Sequence, residues 1–440
     1  MIPRLLSRLW WRRYLARNAR PWDELERFPA LSPAEQRREL AARLLAQVRY
    51  FGSRPDALPE WREVARIQDP ADLWRVWPSL PILDKAKLQA CFPAAEMQAR
   101  FGIQGRRDST GGSTGEPVHF FHDTPMLRSG LAAATYTAVR MGWQPGMPVI
   151  ILWGSERDIR KRMRRRDRLH GWLRNEFLLD AYRMSEGTVQ RALSIIHAHA
   201  PVAIYGFTSI LEHVARRVVE SGRCPAPGLV RTAWNGGEML FAEQSRIFRQ
   251  AFGVPILNRY GGRELSAMAC QFVPDGPLEV LRPWLFVEIV DENGRPAPPG
   301  QTGRLLWTST ICRGTPFLRY DIGDLGVALP AHQNESGVFA IHQIEGRVAG
   351  LLQLPDGSKI NNIFWNHLFK EFSEIRQFQV VLRRDGSIDL RLKGNALAPE
   401  RDQRLRETLA HFLGSIPFRF CWVDQIPLTA QGKLVQVVRE

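Results

Sequence analysis

From residue 148 to residue 260, apolar runs of strand length alternate with helical stretches, and this rhythm limits the possible fold more than any other feature. PVIILW (148–153) is a continuous apolar run of the kind that suits a strand covered on both faces. A helical stretch at 186–199 leads to VAIY (202–205), a second at 208–221 to LVRTAW (229–234), and a third at 241–252 to VPILNRY (254–260). Such alternation predicts a wound α/β sheet with its ligand crevice at the C-terminal strand ends.

The flanks read differently. Residues 20–100 are helical stretches broken by prolines such as Pro21, Pro33, Pro59 and Pro81. Residues 277–345 hold short strands punctuated by Gly and Pro, which predicts a smaller β unit on the main domain. Beyond IEGR (344–347), strands near 376–383, 387–393 and 417–423 and an amphipathic helix near 398–413 suffice for a small α+β domain. The expected division is therefore a large N-terminal domain over 1–345 and a small C-terminal one over 346–440.

The net charge of +15 raises the question of nucleic acid, and its distribution answers it. Residues 1–20 contribute +6 from six arginines and no acid, and residues 156–168 contribute +5 from eight bases and three acids. The rest of the chain shares +4, so no nucleic-acid-binding face is expected. Two placements suit the basic, amphipathic segment 1–20: docked on the protein's own body, or lying on an anionic membrane surface. No run approaches the 18 apolar residues of a membrane span. Five scattered cysteines without a CxxC pair suggest neither a disulfide framework nor a zinc ribbon. A cytoplasmic protein, with peripheral contact at the inner membrane surface as an option, is the expectation.

Four segments could carry chemistry. Ser109-Thr110-Gly111-Gly112-Ser113-Thr114-Gly115 crowds glycines and hydroxyls as a phosphate-cradling loop would, although it is not GxxxxGK[ST]. Tyr260-Gly261-Gly262-Arg263-Glu264 follows a predicted strand; Tyr260 could stack on a base and Glu264 could offer Mg²⁺ a hard oxygen. Arg319-Tyr320-Asp321-Ile322-Gly323-Asp324 puts an acid after a Gly turn, placed to accept hydrogen bonds from a ribose diol. Lys433, after Gly432, is one of only seven lysines among sixty bases, and its ammonium could meet developing phosphate charge. Each segment alone also fits an ordinary turn.

In this order and at these spacings, the four segments resemble those of the adenylate-forming (ANL) superfamily, and within it the phenylacetate–CoA ligase and CapK-like branch, from about residue 80 onward. The resemblance implies that Ser109 to Gly115 hold the ATP phosphates. It implies that Tyr205 and Phe207 of AIYGFTSIL (203–211), with Gly262, line the acyl pocket. Gly236, Gly237 and Glu238 of WNGGEML would border the adenine, with Tyr260 and Gly261 against it. Asp324 would bind the ribose, Arg347 the nucleotide, Glu264 Mg²⁺, and Lys433 would assist adenylation. Three positions depart from the family pattern. Glu116 and Val118 stand where a lysine is often found, Arg263 stands where the wider superfamily has Ser or Thr, and Ala349 replaces the hinge aspartate.

The implied activity is ATP-dependent, AMP-forming activation of a small carboxylic acid to an acyl-adenylate, followed by transfer to CoA. One alternative passes the acyl group to a carrier protein, sugar or amine in polysaccharide assembly, which the Ala349 departure favours. Another is a catalytically decayed, basic membrane-associated scaffold. His119, His122 and Asp123 are expected at a strand end or pocket rim. Cys270 and Cys312 lie where some related ligases bind zinc, but lack evident partners.

Overall fold

The computed structural model describes residues 2–17, 19–109, 118–153, 165–180, 186–347, 352–353, 359–360, 365, 368–369, 372, 374–427 and 435–440. The chain divides into two compact units. The larger takes most of the chain as far as Ile344; the smaller takes Glu345–Glu440, with Gly323–Leu325 grouping with it.

The larger unit begins with helix α1 (Ile2–Arg17), followed by further helices up to Phe101. The hairpin of β1 (Gly105–Ser109) and β2 (His119–Asp123) comes next. Helix α2 (Thr124–Arg140) starts directly after it because the Asp123 carboxylate caps it, accepting from Met126 N at 2.9 Å, with Pro125 in the first turn.

The wound sheet then forms from β3 (Val149–Trp153), β4 (Glu176–Asp180), β5 (Val202–Gly206), β6 (Val230–Asn235) and β7 (Ile256–Leu257). All are parallel, in the order β4-β3-β5-β6-β7. Helices α3 (Arg165–Leu173), α4 (Glu186–His199), α5 (Thr208–Glu220) and α6 (Ala242–Phe252) come between the strands. The unbroken apolar character of PVIILW has a direct cause. Ile150 and Leu152 pack with residues of α4, α5 and α6, whereas Val149 and Ile151 join Tyr136, Trp143 and Trp11 on the other face. Edge strand β4 escaped the sequence reading, since EFLLD is short and bounded by acids.

VPILNRY, predicted as one strand, is two. The chain leaves the parallel sheet after Leu257 and enters a second, antiparallel sheet as β8 (Arg259–Gly262). Gln271 holds the crossover, its backbone N donating to Asn258 O at 2.8 Å while its side-chain oxygen accepts from Asn258 N at 3.0 Å. Tyr260 to Gly262 thus lie in a hairpin with β9 (Ser266–Gln271), bulged at Tyr260/Gly261, and not in the strand-to-helix turn of a parallel sheet.

Beyond it run β10 (Leu278–Val280), β11 (Leu285–Val290), β12 (Thr302–Ser309), β13 (Tyr320–Val327), β14 (Gln333–Asn334), β15 (Gly337–Val338), β16 (Ala340–Ile341) and β17 (Gln343–Arg347). They build sheets of order β16-β10-β9-β8 and β14-β15-β11-β12-β13-β17.

In the smaller unit, β18 (Leu352–Gln353) pairs with β19 (Lys359–Ile360). Strands β20 (Ile375–Leu382), β21 (Ile388–Gly394), β22 (Phe418–Trp422) and β23 (Val437–Arg439) form a sheet of order β22-β21-β20-β23. Helix α7 (Pro399–Leu413) packs Leu405, Leu409 and Leu413 with Val380, Leu390 and Leu392 of that sheet. The architecture is thus a large α/β domain with wound and antiparallel sheets and a small α+β domain.

Candidate active site

Aromatic side chains gather at the C-terminal ends of β3 and β5. Trp153, the last residue of β3, stacks on Phe207 at 3.9 Å between ring centroids and on Tyr205 at 5.3 Å. Tyr205 in turn stacks on Trp234 at 5.8 Å. Tyr205 and Phe207 were expected here, but Trp153 was not. The rule that picks out residues leaving a parallel strand would have found it.

The Asn235–Glu238 loop closes over these rings. Gly236 N donates to Gly206 O at 3.0 Å. A Cβ on Gly236 would sit 2.9 Å from the Tyr205 hydroxyl, and one on Gly237, whose φ is +75°, would sit 3.0 Å from the Phe207 ring. Both positions therefore require glycine. Asn235 is fully buried and ties three elements together: its amide donates to Thr208 Oγ1 at 2.8 Å and to Glu238 O at 3.0 Å, and its oxygen accepts from Arg259 N at 2.9 Å. The Glu238 carboxylate accepts from Ser209 N at 2.7 Å and Ser209 Oγ at 3.0 Å. It thereby caps the positive end of α5, which commits this side chain to the helix terminus.

Arg259 links this crevice to the β8–β9 hairpin, its guanidinium lying 5.5 Å over the Tyr205 ring. Tyr260 is half-buried and inclined against Trp307 at 5.9 Å. Gly261 has no room for a side chain, since a Cβ would fall 2.2 Å from Ser266 O. A Cβ on Gly262 would lie 2.9 Å from Oε2 of Glu264. The Glu264 carboxylate is buried, and Tyr320 donates to its Oε1 at the long limit of 3.5 Å.

His122, at the end of the β1–β2 hairpin, donates from Nε2 to the Glu264 backbone carbonyl at 2.7 Å. Burial lowers the His122 pKa, so its ring is held neutral. Arg263 donates to Ser109 O at 3.4 Å, so the two strands that flank the predicted phosphate loop each meet the turn bearing Glu264 once. Asp123 is fully engaged by Met126 N and by Arg313 N at 2.6 Å, which makes it a structural residue.

Thr110 to Gly115, Ala349 and Lys433 lie outside the described residues. Asp324 is buried on β13, and Arg347 closes β17. Arg319, unassigned from the sequence, is a structural hub. Its φ is +47°, it pairs with Glu288 at 3.1 Å, and it donates to the carbonyls of Pro78 and Leu80 at 2.8 and 2.6 Å.

Metal chemistry divides along the same lines. Among the described residues, no group of three or more His, Cys, Asp and Glu stands together as a metal cage. One buried carboxylate at Glu264 fits Mg²⁺, which keeps waters and substrate phosphate oxygens and takes one or two protein oxygens. Burial pushes the Cys270 thiol up to about 12 and that of Cys312 higher still, and both stay protonated.

Residues 181–312 match the family model of AMP-binding enzymes. The phenylacetate-coenzyme A ligase of Pseudomonas putida is 27% identical over 215 residues, 47% of each chain, so the alignment spans about half the length of that relative. The structure of 2-hydroxyisobutyryl-CoA ligase in its postadenylation state superposes with a TM-score of 0.66 at 18% identity, covering 92% of this chain and 90% of that one. ATP-bound MatB from Rhodopseudomonas palustris superposes with a TM-score of 0.55 at 17% identity, covering 74% and 66%. The matched segment and the relative make the chain similar to adenylate-forming enzymes, and the solved structures share its fold. Within that class it is similar to the acid–CoA ligases.

Proposed function

We propose that this protein is an AMP-forming acid–CoA ligase: it activates a small carboxylic acid with ATP and passes the acyl group to CoA. The observation that carries the reading is the buried Glu264 carboxylate, in a turn whose backbone His122 holds and whose hairpin adjoins the aromatic crevice at the strand ends.

In the first step a carboxylate oxygen attacks the α-phosphorus of ATP in line. The new O–P bond gives the acyl-adenylate as the bond to pyrophosphate breaks. The protein's contribution is positioning and charge neutralisation. Ser109 and the hydroxyls and N–H groups of Thr110 to Gly115 hold the departing phosphates. The half-buried Tyr260 offers a ring face to adenine beside the backbone of Gly236 and Gly237, and the Asp324 carboxylate accepts from the ribose hydroxyls. Glu264 would hold Mg²⁺, which neutralises phosphate charge when bound. Arg347 and Lys433 oppose the charge growing on the phosphate oxygens. Trp153, Tyr205 and Phe207 exclude water and grip the acyl group. In the second step a thiolate attacks the acyl carbonyl and AMP leaves.

Ala349, in place of the hinge aspartate, favours a second reading in which the acyl group goes to a carrier protein, sugar or amine. ATP–pyrophosphate exchange over a panel of carboxylic acids, with and without CoA, separates the possibilities. Exchange together with CoA-dependent thioester supports the ligase. Exchange without thioester supports the second acceptor, and no exchange with any acid leaves only a non-catalytic scaffold.

A further inference from the structure

Helix α1, from the first basic segment of the sequence, packs against α3, well over a hundred residues further along the chain. Helix α1 is docked on the body by one face. Trp11 is buried and meets Trp143 edge-on at 4.9 Å, Ser7 is fully buried, and Trp10 lies 5.3 Å under the Arg174 guanidinium just beyond α3.

The opposite face has an unusual composition for a surface. Leu6 and Leu9 are 39% and 48% exposed, and Arg8, Arg12 and Arg13 are exposed around them. On α3, Leu169 and Trp172, one helical turn apart, are 55% and 48% exposed. Among the described residues, these two helices hold four of the seven large apolar side chains that face solvent: Leu6, Leu9, Leu169 and Trp172, against Leu131, Val273 and Trp422 elsewhere.

We propose that α1 and α3 together form a docking face for an anionic lipid bilayer, on which the protein sits without crossing it. Charge and apolarity both select this partner. No helix of the described residues is long and apolar enough to cross a membrane. Leucine and tryptophan side chains on helices lying in the interface plane enter the headgroup–acyl boundary, while arginines beside them pair with lipid phosphates. A nucleic acid would use the arginines and leave the leucines in water.

The test is flotation with vesicles of phosphatidylcholine, with and without phosphatidylglycerol, at low and high salt. The full chain floats with the anionic vesicles and is released by salt. The pair Arg12→Gln and Arg13→Gln weakens binding roughly 20- to 30-fold, each arginine near a charged surface contributing several-fold. The pair Leu9→Glu and Trp172→Glu abolishes it, with an unchanged thermal unfolding midpoint showing that both variants are folded. Equal flotation with neutral vesicles, or none with either, overturns the proposal, as does undiminished binding by both variants. A dimer in solution that Leu9→Glu dissociates overturns it in favour of self-association. Binding to an acidic carrier protein but not to vesicles overturns it in favour of a protein partner.

Discussion

His122 Nε2 lies 2.7 Å from the backbone carbonyl of Glu264, 142 residues away, and so fastens the exit of the predicted phosphate loop to the turn that bears the candidate metal ligand. Because burial lowers the imidazole pKa below its ordinary 6.5, the folded state prefers the neutral ring. Its contribution to stability is complete above about pH 6.5 and is lost as pH falls through the lower folded-state value. Thermal unfolding scans should be flat above that pH and decline below it, with the decline reduced in His122→Gln. An identical acid limb in the variant would rule out His122 as the titrating group.

Gly262→Ala puts a methyl group against Oε2 of Glu264. The carboxylate end is flexible and can move aside, so stability should change by less than about 1 kcal/mol. Pyrophosphate exchange should fall by about 10-fold or more because the displaced oxygen no longer suits the cation. The loss should ease at high Mg²⁺. A variant with wild-type exchange at limiting Mg²⁺ would remove Glu264 from the metal.

Glu264→Gln keeps the shape and removes the charge, and Lys433→Ala removes the ammonium. Each is expected to lower adenylation by about 10²-fold, the usual loss for a group that stabilises developing charge. Pyrophosphate exchange reads both, and an unchanged rate in Lys433→Ala would sink the assignment of that lysine.

Trp153→Ala opens the wall formed with Phe207 and Tyr205. Acid activation should show a raised KM for the acid and little change in KM for ATP. Equal effects on both would mean that the indole only supports the sheet.

In the small unit, Asp389 is buried and accepts from Arg419 at 2.5 Å and Arg383 at 2.6 Å; Arg419, then Arg383, lowers its pKa to about 2 against burial. Its ion pairing stabilises the fold above the ordinary 3.8 and is lost as pH falls toward 2. Asp389→Asn should cost about 1 kcal/mol at pH 7, a modest figure because Arg419 is largely exposed. Hydrogen exchange of β20 and β21 amides should show that gap closing through this acid range, and a gap constant down to pH 2 would contradict the pairing.

Much of this was legible in the sequence. Strand and helix periodicity is local, so the runs at 148–153, 202–205 and 229–234 named the parallel sheet, and the runs beyond 375 named the small sheet. The glycines at 236, 237, 261 and 262 stood out in the sequence, and in the structure a Cβ at each would crowd a neighbouring group of the protein itself. Tertiary structure alone decided what meets what. It split VPILNRY between two sheets, since pairing partners lie far away in sequence. It committed the Glu238 carboxylate to a helix terminus and Arg319 to buried carbonyls. It also seated α1 beside α3, bringing their exposed leucines and tryptophan onto neighbouring helices. Local pattern fixes which elements form, but contacts between distant elements follow from burying apolar faces together, and no window of sequence contains both partners.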